Sequence, residues 1–333
     1  MKLKNYAYFI CATENFIPYL NAFLNSIQKR KLCEGCYLTV YIFHNRGFNE
    51  RYLQAVKTAF DFKVIPVEIN DSDINFPTGN REFIKRVRYA KMIDLAETYD
   101  AVAFFDADMF IVSDRFNNLL DAVSNTDLLV GCNERFKWNA EKYVFVDGER
   151  IVKNSKKLYG MICNTPAIFD MKKWKNVFEA YVNIAISGRE PKNGIMAGIG
   201  DLFCWNLAIY NQNAQDRVIC FPIETMAQVH KTNLRRWTHV IVEDGYWRTF
   251  AGDRVYVIHN KIADTKWYDG NYEWAYNDVG MNHRESDRLK IIADIGAGLK
   301  AIQKEWYDLN FRHRIILTDY VNNIPSWHLM DWK

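Results

Sequence analysis

Five consecutive apolar residues, Ala101-Val102-Ala103-Phe104-Phe105, run straight into Asp106-Ala107-Asp108. A run this short and this uniformly apolar reads as a strand buried on both faces, and such strands belong to parallel sheets covered by helices above and below. The preceding residues repeat the alternation that such a sheet demands. Tyr6 to Ala12 reads as a first strand. Phe16 to Lys31 reads as a helix, with Phe16, Leu20, Phe23, Leu24 and Ile27 at helical spacing and Gln28-Lys29-Arg30-Lys31 where cations suit the helix dipole. Tyr37 to Phe43, Glu50 to Phe60, Lys63 to Ile69 and Arg81 to Tyr99 continue as strand, helix, strand and a long basic helix. The expected class is α/β, opening with the βαβαβ half of a doubly wound fold.

Further along the pattern loosens. Met161 to Phe169, Arg217 to Pro222 and Arg254 to Ile258 read as strands, Trp174 to Ile186 and Gly200 to Tyr210 as helices, and Glu134 to Lys157 as a polar insertion. After Gly280 an amphipathic helix, Arg288 to Leu309, leads to an aromatic tail. We therefore expect one Rossmann-like domain over residues 1–275, with a mixed, mostly parallel sheet, and a C-terminal helical extension over 276–333. A chain of 333 residues buries roughly three quarters of its extended surface, so this core needs no staples.

Forty-three Lys and Arg against 40 Asp and Glu leave a formal charge of only +3, which argues against nucleic acid as a partner. The apolar stretch at the N-terminus stops at Thr13-Glu14-Asn15, short of a signal peptide or a membrane span. Seven cysteines, an odd number, mostly within apolar runs (Cys11, Cys163, Cys204, Cys220), read as buried free thiols. Together these features point to the cytoplasm. Cys33 and Cys36 lack a second pair at zinc spacing and read as a turn.

The chemistry concentrates after the apolar strand. Side chains alternate along an extended segment, so Asp106 and Asp108 are expected on one side, at a carboxyl end where open α/β sheets bind ligands. Two carboxylates that close would hold a proton unless a cation lay between them, and a divalent metal is the simplest resident. The strand Arg254 to Ile258 ends at His259, and an imidazole with two carboxylates suits Mn²⁺ better than Mg²⁺. Three protein ligands leave positions for ligand oxygens, such as those of a diphosphate. Lys261 and Lys266 follow closely enough to neutralise phosphate.

Four ordered segments carry a family resemblance: Ala7 to Phe16; Arg88-Tyr89-Ala90-Lys91 ahead of Phe105-Asp106-Ala107-Asp108; Cys163-Asn164-Thr165-Pro166 through Trp174; and Val257-Ile258-His259 through Lys266-Trp267. In these the chain resembles glycogenin-like and lipooligosaccharide galactosyltransferase-like nucleotide-sugar glycosyltransferases of the GT-A fold, over about residues 5 to 270. The resemblance implies that residues 1–275 form a nucleotide-diphospho-sugar transferase domain. It implies a divalent ion, usually Mn²⁺, on Asp106, Asp108 and His259, bridging the diphosphate of a uridine-diphosphate sugar. Ala12, Thr13 and Asn15 would lie beside the uridine, with Ala107 in the same motif and Lys91 reaching the donor. Asn164 and Asp201 would hold donor hydroxyls, Asp201 also serving as a β-face stabiliser, and Lys266 would add charge at the leaving group. The implied reaction retains anomeric configuration and moves a hexose-type sugar to a glycan, lipid-linked or protein acceptor. Asn164-Thr165-Pro166 stands where the family has Asn-Ala/Ser-Gly, Asp201-Leu202 where it has Asp-Gln, and Ile262 where it has glycine; Lys266 is displaced by one residue.

Two other readings stand beside this one. Asp-x-Asp after a buried strand also suits a haloacid-dehalogenase-type phosphatase, with Gly200-Asp201 as a later metal motif, although Phe110 stands where that pattern wants Thr or Val. A nucleotide-sugar or glycan binding module without turnover is the other. The aromatic C-terminal segment, with Trp306, Tyr307, Phe311, Trp327 and Trp332 among basic residues, reads either as a helix packed on the core or on a second copy, or as a peripheral contact at the inner membrane surface.

Overall fold

The computed structural model describes residues 3–69, 81–138, 145–146, 149–150, 158–187, 201–226, 228–229, 240–243, 245–249, 252–260 and 285–312. In chain order the strands are β1 (Lys4–Ala12), β2 (Cys36–Asn45), β3 (Lys63–Ile69), β4 (Ala101–Asp106), β5 (Met109–Ile111), β6 (Leu129–Trp138), β7 (Phe145–Val146), β8 (Glu149–Arg150), β9 (Leu158–Ile162), β10 (Ala167–Phe169), β11 (Val218–Pro222), β12 (Gln228–Val229), β13 (Val240–Glu243), β14 (Tyr246–Thr249) and β15 (Val257–Asn260). The helices are α1 (Ile17–Lys29), α2 (Glu50–Thr58), α3 (Arg81–Ala96), α4 (Asn117–Val123), α5 (Met171–Ser187), α6 (Asp201–Asn211) and α7 (Glu285–Tyr307).

The main sheet runs β11-β6-β10-β4-β1-β2-β3, with β9 added on β6. Strands β4, β1, β2 and β3 are parallel, whereas β10 is antiparallel to both β4 and β6. This is the expected mixed, mostly parallel α/β sheet. Alternation along each strand divides the core in two. Tyr8, Ile10, Val40, Ile42, Ala103 and Phe105 face a layer that includes α1 and α4. Ala7, Phe9, Tyr41, Phe43, Val102 and Phe104 face a layer built on α3, α5 and α6. Phe105 is fully buried, and burying one such ring contributes about 1.5–3 kcal/mol.

Local signals place the helices. Pro18 opens α1, where its missing N–H costs nothing, and Asn49 caps α2 by accepting from the Tyr52 N–H at 3.1 Å. Asp100 ties the approach to β4 to the start of β1: its Oδ2 accepts from the Asn5 N–H, and its own N–H donates to the Asn5 carbonyl, both at 2.8 Å.

Several expectations need correction. Met161 to Phe169 is not one strand: β9 and β10 both run along β6 but are separated at Cys163–Pro166, because Pro166 has no N–H to give a central strand. The last predicted strand lies later than its apolar pattern suggested, at Val257–Asn260. The polar segment after Glu134 is partly sheet, since β6 extends to Trp138 and pairs with β9. None of the seven cysteines forms a disulfide, but Cys11 is only half-buried and Cys220 is exposed on β11, at the edge of the sheet. Among the described residues no helix is long and apolar enough to cross a membrane.

Candidate functional site

Strand β4 carries Asp106 to the carboxyl edge of the sheet and stops there; Ala107 and Asp108 form a turn, and β5 begins at Met109. The two carboxylates are therefore gathered by a turn and not by alternation along an extended strand. Short β5 is held from two sides. The Ile111 N–H donates to Ser26 Oγ on α1 at 3.0 Å, and β15 pairs antiparallel to β5 with His259 opposite Met109. Beyond that ladder the Val112 N–H donates to the Tyr256 carbonyl at 2.9 Å.

This pairing brings His259 Nε2 to 3.0 Å from Asp108 Oδ1 and 3.9 Å from Asp106 Oδ2. One ligand atom from each of the three side chains lies within 4.8 Å of the others. The side chains of Asp108, His259 and Asp106 are 5 %, 15 % and 18 % exposed, so the cluster is sheltered but still reached by solvent. Adjacent ligands on an octahedral ion with bonds of about 2.1 Å lie roughly 3 Å apart. The spacing therefore suits a small divalent cation, and two oxygens with one imidazole nitrogen form a donor set acceptable to Mn²⁺. Among the described residues this is the one acidic and imidazole grouping of that kind.

A residue the sequence reading passed over completes the surroundings. Thr165 Oγ donates to Asp106 Oδ2 at 2.7 Å, and Thr165 is 2 % exposed. Pro166 was the available signal, because a proline within a central-strand pattern marks a break. What it could not convey is which residue the break would face.

Of the other predicted residues, Ala12, Thr13, Ala107 and Asn164 lie along that sheet edge. Cys11 pairs with Asp106, so Ala12 and Thr13 leave β1 beside the cluster; the Thr13 carbonyl accepts from the Phe16 N–H at 2.8 Å. Asn15 follows in that turn, its side chain outside the described residues. Ala107 is buried between the two carboxylate positions. Asn164 Nδ2 donates to the Tyr89 hydroxyl at 3.4 Å, which anchors it on α3. Lys91 Nζ donates to the Glu68 carbonyl on β3 at 3.3 Å, three strands from β4 and so about 14 Å across at ordinary strand spacing. Asp201 is the first residue of α6, its side chain outside the described residues. Lys261 and Lys266 lie outside the described residues altogether.

No family model matches the chain, and no curated protein matches it. Solved structures do. The galactosyltransferase LgtC in complex with donor and acceptor sugar analogs is 16 % identical, over 91 % of this chain and 99 % of that one, with a TM-score of 0.47. An active-site mutant of LgtC is also 16 % identical, over 86 % and 95 %, at 0.48. The apo form of mouse xyloside xylosyltransferase 1 is 10 % identical, over 78 % and 98 %, at 0.47.

Proposed function

We propose that this chain is a metal-dependent, retaining glycosyltransferase that moves a hexose-type sugar from a uridine-diphosphate donor to a glycan, lipid-linked or protein acceptor. The observation that carries the reading is the convergence of Asp106, Asp108 and His259 at the carboxyl edge of the sheet, beside the end of β1. Strands β2 and β3 lie to one side of β1 and β4 to the other, so the cluster sits at the topological switch point where open α/β sheets bind ligands. The sequence resemblance supplies the donor class.

Asp106, Asp108 and His259 would hold the divalent ion, Mn²⁺ or Mg²⁺, which when bound supplies Lewis-acid charge against a leaving diphosphate. Ala12, Thr13 and Asn15 form the side of the site next to β1, where a nucleoside would rest. Lys261 and Lys266 would add positive charge toward the phosphates, the kind of preorganised electrostatic stabilisation that dominates when charge develops on a leaving group. Lys91, held at β3, would act at the far end of an extended donor. Asn164 and Asp201 are assigned to the hydroxyls of the donor sugar.

The test is hydrolysis of uridine-diphosphate glucose and galactose with Mn²⁺. Slow release of uridine diphosphate that stops in chelator and falls at least about 100-fold in Asp108→Asn is expected, by analogy with loss of a charge-stabilising group. Phosphate release from p-nitrophenyl phosphate without any effect of uridine diphosphate would overturn the reading in favour of a phosphatase. Mn²⁺-dependent binding of uridine diphosphate with no turnover on any uridine-linked sugar would reduce it to a binding module.

A further inference from the structure

The paired part of β10 ends at Ala167, opposite Phe104 on β4, and the chain bends over residues 164–166 just beyond it, which brings Thr165 to Asp106 at the end of β4. The chain at Thr165 is fixed from both sides. The Cys163 N–H donates to the Cys132 carbonyl at 2.8 Å on one side, and Ile168 pairs with both Ala103 and Val130 on the other. Asn164 is meanwhile held on Tyr89. The backbone on either side of the bend is thus held where the Thr165 hydroxyl meets Asp106.

On these grounds we infer that Thr165 is a positioning residue for the metal cluster, locking the Asp106 carboxylate in the orientation that serves the ion. The inference rests on the metal reading given above. A carboxylate at a strand end rotates freely about its last torsion unless something holds it, and hydrogen bonds from outside the ligand shell commonly do so. At 2.7 Å, between a hydroxyl and a carboxylate, this bond has the length of a charge-assisted one. Burial of Thr165 keeps water from competing for the acceptor. The oxygen that accepts it is also the one 3.9 Å from His259 Nε2, so the bond fixes the carboxylate relative to the imidazole.

Titration of the full chain with Mn²⁺ alone, followed by calorimetry and by the electron-spin signal of the free ion, tests this without any turnover. Thr165→Val keeps the shape and removes the hydroxyl; it is expected to weaken Mn²⁺ binding about 10-fold or more, the usual effect of losing such a partner. Thr165→Ser keeps the hydroxyl and is expected to bind within about threefold of the parent, a rescue that packing alone would not give. Should Thr165→Val fail to fold, Thr165→Ser against Thr165→Ala isolates the same hydroxyl. Equal affinities across either comparison, with Asp106→Asn abolishing binding, would overturn the positioning role alone. A parent chain that takes up no Mn²⁺ would overturn the metal reading and this role with it.

Discussion

Cys36 sits where β2 begins, its thiol donating to the Leu32 carbonyl at 3.3 Å while Asn117 Nδ2 approaches the sulfur at 3.6 Å. Burial pushes its pKa up to about 11, and the neighbouring Cys33 and Asp121 add to the shift. Both effects disfavour the thiolate. At pH 8 the reactive fraction is therefore about 100-fold below that of a thiol with a pKa near 9, and iodoacetamide should label Cys36 correspondingly slowly. Mass spectrometry of the alkylated peptide across pH 7 to 11 should show the rate climbing up to about pH 11; rapid labelling at pH 8 would contradict the assignment. At this scale the sequence spoke clearly only where chemistry is local. Asp106 and Asp108 stood out because an apolar strand delivered them. Thr165 did not, since its partner is set by the bend between β9 and β10 and no spacing along the chain encodes that.

Helix α7 illustrates the same division among elements. Its amphipathic pattern was readable, but the surface it would cover was not, because that surface is assembled from residues nearly three hundred positions earlier. Lys29 and Arg30 read as cations suited to the end of α1; they also clasp Glu305. Lys29 Nζ reaches both Glu305 oxygens at 2.9 Å, and Arg30 Nη2 reaches Oε1 at 2.8 Å. Asn21 Nδ2 donates to Asn310 Oδ1 at 3.1 Å, and Trp306, buried at 2 % exposure, packs near Tyr19 with ring centroids 6.1 Å apart. Trp306 is thus committed to this chain's own core. Glu305→Ala strips the carboxylate from two sheltered cations, and a loss of about 2 kcal/mol is expected in urea unfolding, with faster amide exchange in α7. A loss below about 0.5 kcal/mol would show that the clasp contributes no more than an ordinary exposed pair.

Over the whole molecule, fold class was the most legible property. Strand and helix periods alternate through the first hundred residues, and each fully apolar strand has to be covered on both faces, which leaves few arrangements. The antiparallel insertion of β10 between β4 and β6 was not legible, because a three-residue strand carries no period. An ion bound by the folded chain alone stabilises all of it by mass action. At a hundredfold excess over its dissociation constant, Mn²⁺ should add about 2.7 kcal/mol, which for a chain of this length raises the melting temperature by about 4 °C. Calorimetry with and without chelator checks this, and Asp108→Asn should show no such rise.

The pairing of β15 with β5 brings together the side chains of Asp108 and His259, 151 residues apart in the chain. A ribosome adding 5–20 residues per second needs roughly 8–30 s to travel between them. Throughout that interval the nascent polypeptide owns both acids and lacks the nitrogen, so the three-residue grouping exists only once late-made sequence has joined early-made sequence.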